Sequence, residues 1–247
     1  MDTDSDAINE ALEPFFADSL IREVLCLVKT GKEAALYCCQ GDTKLDNRLA
    51  AVKVYKPRLG RAFRNDSAYQ DGRVILNRHD ARAVAKRTSF GREVQSTRWT
   101  QHEFEILRVL HSAGADVPKP IKCSSSAVLM EWIGDADDDP APQLREVELQ
   151  PDEAQPLFER LLANVELWLA CNVVHADLSP YNLLYQPERL VAIDFPQAID
   201  PRFNSQPYEL LARDVDHVCH FFARYGVESD AGAITADLWD RFTRGVL

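Results

Sequence analysis

Short apolar runs crowd the first half of the chain and helix-length apolar periodicity fills the second, and this segregation constrains the fold more than any other feature. Residues 23–28 (EVLCLV), 34–40 (AALYCCQ) and 49–55 (LAAVKVY) are strand-length runs divided by turn chemistry at Gly31 and at Gly41-Asp42. They predict three antiparallel strands at the start of a sheet, with two more at 119–123 and 126–132. Between these groups, residues 58–96 lack periodicity and read as a long, partly mobile insertion, and helical spacing resumes at Trp99, Phe104, Leu107 and Leu110 and ends near Gly114. A strongly amphipathic helix is predicted at about 152–171, with Leu157, Leu161, Leu162, Val165, Trp168 and Leu169 on its apolar side. Two strand-like pieces, 183–185 and 190–193, and two closing helices near 207–225 and 233–244 complete the chain. The expected class is therefore α+β in two lobes, a small antiparallel sheet in the first and mainly helices in the second, and 247 residues suffice for it.

The acidic start MDTDSDAINEALEPFF has no basic and apolar leader pattern, and no stretch approaches 18 uncharged apolar residues, so a cytoplasmic protein with no membrane segment is expected. Six cysteines (26, 38, 39, 123, 171, 219) without a CxxC pair read as reduced thiols rather than a disulfide frame or a zinc site. His217, Cys219 and His220 fall in a helix-patterned run with Phe221 and Phe222 and read as ordinary helix residues. The net charge of −11 argues against nucleic-acid binding by bulk electrostatics. It is uneven: residues 53–98 carry +8, leaving −19 elsewhere. The basic segment 58–98 either faces an acidic or RNA-containing partner or is a solvated loop.

A small set of polar residues suggests phosphoryl transfer from ATP, which needs a cation on the inner phosphates, an acid to hold it, metal ligands and a carboxylate near the accepting hydroxyl. Lys53, in Ala51-Val52-Lys53-Val54, is either that cation or the guard of a sheet edge. Glu103 shares a helix side with Leu107 and Leu110 and is its candidate partner, with Glu105 the rival. In His175-Ala176-Asp177-Leu178-Ser179-Pro180-Tyr181-Asn182, Asp177 and Asn182 are spaced as in loops where the aspartate takes the acceptor's proton and the asparagine binds magnesium. Twelve residues later Ile193-Asp194-Phe195 places another carboxylate at a strand end. One aspartate or asparagine in a loop is ordinarily a turn former. The order Lys, Glu, Asp, Asn, Asp is what points to the chemistry. No Gly-rich loop is present: between the first two strands lies Val28 to Ala34 with one glycine, and Gly31-Lys32 is followed by Glu33, so this is not a Walker A loop either. The backbone N–H groups of a tight turn can still cradle phosphates.

These departures carry a resemblance. Thr30-Gly31-Lys32-Glu33-Ala34 resembles the S-T-G-K-E-A phosphate loop of the RIO family of atypical serine/threonine kinases, H-A-D-L-S-P-Y-N its catalytic loop and I-D-F-P-Q its metal-binding loop. Arg213-Asp214-Val215-Asp216 with Phe221-Phe222 is similar to the family's C-terminal helix. The resemblance covers about 20–228 and is greatest to the first RIO class, since the chain starts too near the phosphate loop for the winged-helix domain of the second. It implies a reduced protein-kinase-like fold, without activation segment or peptide-binding helices: an N-terminal extension 1–19, an N-lobe about 20–130, a hinge about 131–135 and a C-lobe about 136–247. It implies catalytic roles for Lys53, Asp177 and Asp194 and a metal site of Asn182 and Asp194 for Mg²⁺ or Mn²⁺. Nucleotide would be held by Thr30, Gly31, Lys32, Glu33, Ala34, Lys53 and Glu103, with adenine on the backbone of Glu131 and Ile133. In the best-known members the counterpart of Asp194 is transiently phosphorylated and the protein is an ATPase switch in ribosome assembly, so the resemblance allows a protein kinase of unspecified substrate or a nucleotide-switched assembly factor. Lys29 where the family has Ser, and the missing basic tail, set this chain apart. A small-molecule kinase of the aminoglycoside phosphotransferase type shares the H-x-D-x-x-x-x-N loop, but about 50 residues after Gln197 leave little room for its acceptor pocket.

Overall fold

Five strands pair antiparallel in the order β1-β2-β3-β5-β4, where β1 is Ile21–Thr30, β2 Ala34–Gly41, β3 Leu49–Tyr55, β4 Pro120–Cys123 and β5 Ala127–Glu131. All five were expected from the sequence to within a few residues. The computed structural model describes residues 3–46, 48–56, 89–134 and 139–247, and for 3–7, 89–98 and 151 the backbone alone. Most of the basic segment 58–98 and the acids 135–138 thus lie outside the described residues.

Alternation along β3 gives the sheet two different faces. Ala50, Val52 and Val54 join Cys39, Ala127 and Leu129 in one buried cluster. Register puts Lys53 on the opposite face, between Leu36 and Val128, with Ala51 between Cys38 and Met130. The apolar face is covered by α1 (Thr3–Ala17), through Ala11, Leu12 and Phe15. The sequence expectation set residues 1–19 apart as an extension; 3–17 instead form a helix that completes this core. Lys122 ion-pairs with Asp18, and the Ser124 hydroxyl donates to the Ala11 carbonyl over 3.1 Å.

Helix α2 (Ser89–Ser112) starts ten residues before the predicted Trp99, so the tail of the expected insertion, 89–96, is helical. Its first turns lack an apolar stripe, which is why periodicity alone placed the start late. It ends as predicted. Gly114 takes φ +89, a conformation glycine adopts without Cβ strain, and the Ala115 N–H donates to the Leu110 carbonyl over 3.0 Å.

Segments 3–46, 48–56, 89–105, 119–134 and 139–140 form one unit, and 106–118 with 141–247 the other, so the division runs through α2. The second unit holds α3 (Pro151–Ala170), the hairpin β6 (Leu183–Gln186) and β7 (Arg189–Ala192), α4 (Pro207–Ala223) and α5 (Ala231–Thr243). Trp168, Leu161, Leu169, Phe195 and Phe222 fill its interior. Asp116 ties this unit together: its carboxylate accepts from Arg160 Nε and Nη2 (2.7 and 2.9 Å) and Asn164 Nδ2 (2.8 Å), while its carbonyl accepts from the Ala192 N–H (2.9 Å). Burial would raise that carboxyl, but the bonds from Arg160 and Asn164 outweigh it and hold it below the usual range. The end of β7, two residues before Asp194, is fixed by this joint. Among the described residues no helix is long and apolar enough to cross a membrane.

Candidate active site

In the sheet unit, Lys53 Nζ donates to Glu103 Oε1 over 2.6 Å, with the two side chains 14% and 2% exposed. Glu105, the rival partner, is exposed. The second oxygen of Glu103 accepts from the Tyr55 hydroxyl, and Lys53 Nζ lies 5.1 Å from the Tyr55 ring centroid. Tyr55 is two residues from Lys53 on the same strand face, and a cation and a hydroxyl together satisfy a carboxylate that burial would otherwise make costly. Removing one partner of such a pair leaves the other charge buried, so the trio holds the lysine in one place.

The turn between β1 and β2 is closed by the Gly31 N–H donating to the Ala34 carbonyl over 2.8 Å. Lys56, just past β3, pins it: its Nζ donates to Thr30 Oγ1 (2.8 Å) and the Gly31 carbonyl (2.9 Å), and its N–H to the Glu33 carbonyl (2.8 Å). A Cβ on Gly31 would meet Ala34 O at an ordinary 3.5 Å, so the fold itself does not demand glycine there. Glu131 ends β5 with its N–H donated to the Lys119 carbonyl (2.8 Å), while Ile133 is buried.

In the helical unit, the 175–182 loop is anchored from three sides. Asp214 of α4, 2% exposed, accepts the Ala176 N–H on Oδ2 (2.7 Å) and the Leu178 N–H on Oδ1 (3.0 Å). Arg213 donates to the Ala176 carbonyl, and His217 Nδ1 donates to that of Leu178 over 2.9 Å, making His217 a loop anchor. From the segment just past β7, the Ile193 N–H donates to the Asn182 carbonyl (3.0 Å) and the Ile193 carbonyl accepts from Nε2 of His175 (3.1 Å), the His175 ring packing 4.4 Å from that of Phe195. Before α3, Gln143 Nε2 donates to the Tyr181 carbonyl over 2.6 Å. This bracing sustains two unfavourable backbone conformations, φ +64 at Ala176 and φ +70 at Asp194. For alanine the left-handed region costs about 1–2 kcal/mol and persists only where surroundings over-determine it, as bonds to both peptide groups of Ala176 do here.

Asn182 Nδ2 donates to the Asp177 carbonyl (2.9 Å) and lies 3.4 Å from Asp177 Oδ2. With its nitrogen so used, the asparagine offers its Oδ1 as an acceptor. Burial, and then the nearby Asp194 carboxylate, push the Asp177 carboxyl above the usual range. An Asn oxygen and an Asp carboxylate are hard donors of the kind Mg²⁺ takes in small number, the rest coming from phosphates and water. Among the described residues no cluster of three or more His, Cys, Asp or Glu is placed to hold a metal ion by itself. Lys53, Glu103, Asp177, Asn182 and Asp194 were all picked from sequence. Tyr55, Lys56, Arg213 and Asp214 were not assigned these anchoring roles; an aspartate inside an apolar helix stripe was the available signal for Asp214.

The model of the RIO domain matches residues 36–234. The chain belongs to the RIO family. It is 29% identical over 209 residues to the serine/threonine-protein kinase rio1 of Schizosaccharomyces pombe, covering 83% of this chain and 39% of that protein. The RIO-type serine/threonine-protein kinase Rio1 of Haloferax volcanii is 31% identical over 209 residues, 84% of this chain and 66% of the other. The chain thus spans about two fifths of the eukaryotic relative's length. Among solved structures, the Rio2 kinase-ADP/Mg²⁺-phosphoaspartate complex from Chaetomium thermophilum superposes with TM-score 0.71 at 20% identity, covering 94% of this chain and 65% of that one. That likeness establishes the fold as the expected α+β, RIO kinase-like type.

Proposed function

We propose that this RIO domain transfers the γ-phosphoryl group of ATP to a serine or threonine hydroxyl. The reading rests on Asp177, whose carboxyl is raised by burial and Asp194 and oriented by Asn182 beside an over-determined backbone. In it Asp177 takes the proton of the accepting hydroxyl. Lys53, held by Glu103 and Tyr55, neutralises the inner phosphates, the Thr30–Ala34 turn with Lys32 cradles the outer ones, and backbone at Glu131 and Ile133 receives adenine. Asn182 and Asp194 would hold Mg²⁺ or Mn²⁺, which supplies charge neutralisation at the phosphates. The names of the relatives as serine/threonine kinases, and the ADP and Mg²⁺ in the Rio2 complex, support the same assignment. Calorimetric titration with ATP should show affinity falling by about tenfold or more when a chelator removes divalent metal. Equal affinity with and without it would refute the assignment of Asn182 and Asp194.

Asp194 also serves, in this reading, as a transient phosphate acceptor: a carboxylate oxygen attacks the γ-phosphorus, the bond to the bridging oxygen breaks, ADP leaves, and water later cleaves the acyl phosphate, releasing inorganic phosphate and restoring the carboxylate. The phosphoaspartate in the Rio2 complex supports it. Protein labelled from γ-phosphate-labelled ATP should lose its label to hydroxylamine, which cleaves acyl phosphates and spares phosphoserine. Label that survives would leave Asp194 a metal ligand. The charge of segment 58–98 supports a role in meeting an acidic, ribosomal or other RNA-containing partner, and six cysteine thiols support a reducing compartment such as the cytoplasm.

A further inference from the structure

Cys26 and Cys38 face one another directly across the β1–β2 ladder. Partners in an antiparallel pair stand about 4.5–5.5 Å apart at Cα, inside the range of about 4.4–6.8 Å that disulfides span. Their Cβ atoms, at about 4.5–5.5 Å, need to close by roughly 1 Å. The strand is built to allow that movement. β1 is an edge strand, and its register slips on either side of the pair, between Val24 and Cys26 and between Leu27 and Lys29, where irregular pairing loosens the ladder.

The other thiols are poorly placed. Cys39 points to the opposite, apolar face, is 0% exposed, and is pushed up to about 12 by burial and by its neighbours Cys38 and Cys26. Burial likewise raises Cys123, Cys171 and Cys219. Cys26 is exposed, whereas Cys38, its cross-strand partner, is 5% exposed.

We propose that Cys26 and Cys38 form an oxidation site that closes to a cross-strand disulfide with hydrogen peroxide or another peroxide as oxidant. The Cys26 thiolate attacks one peroxide oxygen, the O–O bond breaks, and Cys26 sulfenic acid and hydroxide result. The Cys38 thiol then attacks that sulfur, forming the S–S bond and releasing the sulfenic oxygen as water. Two thiols lose two electrons and two protons, and one peroxide becomes two waters. The bond would fasten the two strands that carry the Thr30–Ala34 turn, two residues along β2 from Leu36, the cross-strand partner of Lys53. The site stands on the ladder geometry and holds whatever the chain phosphorylates.

The test uses the full chain treated with a small excess of hydrogen peroxide and read by intact mass and tryptic mapping. The wild type should lose two hydrogens, regain them with dithiothreitol, and yield peptides 23–29 and 33–44 joined, with fragment ions placing the link on Cys38. Cys26→Ser, at an exposed position, should keep all its hydrogens under the same treatment. The proposal is overturned if the wild type only gains oxygen on Cys26, if the link falls on Cys39, or if Cys26→Ser still loses two hydrogens.

Discussion

Asp177→Asn should lower phosphoryl turnover by about 10²-fold or more while ATP affinity changes by less than about threefold. Asparagine has the volume of aspartate and can keep the contact with Asn182 Nδ2, so the loop geometry survives and only the proton-accepting group is lost. In the proposed reading the raised carboxyl of Asp177 is what makes its loss expensive, since burial and the Asp194 carboxylate make it a stronger base than an ordinary carboxylate. Affinity is expected to stand because, in the proposed function, Lys53, the 30–34 turn and the metal ligands carry the nucleotide. Single-turnover measurements with saturating ATP separate the two quantities. Turnover retained within about tenfold would transfer the proton-accepting role to another group, and a parallel collapse in affinity would make Asp177 a nucleotide-binding residue.

Asp214→Ala should lower the unfolding free energy by about 3 kcal/mol and take turnover down with it. The N–H groups of Ala176 and Leu178 would lose their acceptor, and each unsatisfied buried donor costs about 1–3 kcal/mol. The left-handed Ala176 would lose the bond that enforces it, so Asp177, next in the chain, would no longer be held. The same residue has a pH signature. Burial first pushes its carboxyl up to about 7, against the pull of the two backbone N–H groups. Between the ordinary value of 3.8 and about 7 the native state therefore holds a proton that the unfolded chain has released. Stability contributed by this group is greatest near the acid end of that window, falls as pH rises through it, and is level above about 7. Relative to Asp214→Asn, the wild type should lose about 2 kcal/mol between pH 5 and 7, read by chemical denaturation. A difference between the two proteins that does not change with pH would show that the buried carboxyl is ionised throughout.

Much of the architecture was legible because its signals are local. Strand-length apolar runs ended by Gly31 and Gly41-Asp42 became β1, β2 and β3, and the stripe from Leu157 to Leu169 became α3. Helix α1 carried a readable pattern too, Ile8, Ala11, Leu12 and Phe15 at helical spacing, but sat in an acidic terminal stretch interrupted by Pro14. Only the sheet face it covers turns that stripe into a core, since a short isolated helix is marginal in water. The late start assigned to α2 has the converse cause, a helix continuing past the residues whose apolar faces announce it.

Motif order and spacing single out Lys53, Glu103, Asp177, Asn182 and Asp194 as the proposed catalytic set, and the structure pairs Lys53 with Glu103 and Asn182 with Asp177. What holds them was decided by folding. Tyr55 bonding Glu103, Lys56 pinning the 30–34 turn, and Asp214 buried under the Ala176 and Leu178 N–H groups join residues 26 to 48 positions apart. No local pattern encodes such partnerships: each side chain is an ordinary tyrosine, lysine or aspartate until the tertiary structure removes water from around it and leaves one partner within reach. The same holds for the cysteines, six scattered thiols in the chain of which strand register alone brings Cys26 opposite Cys38.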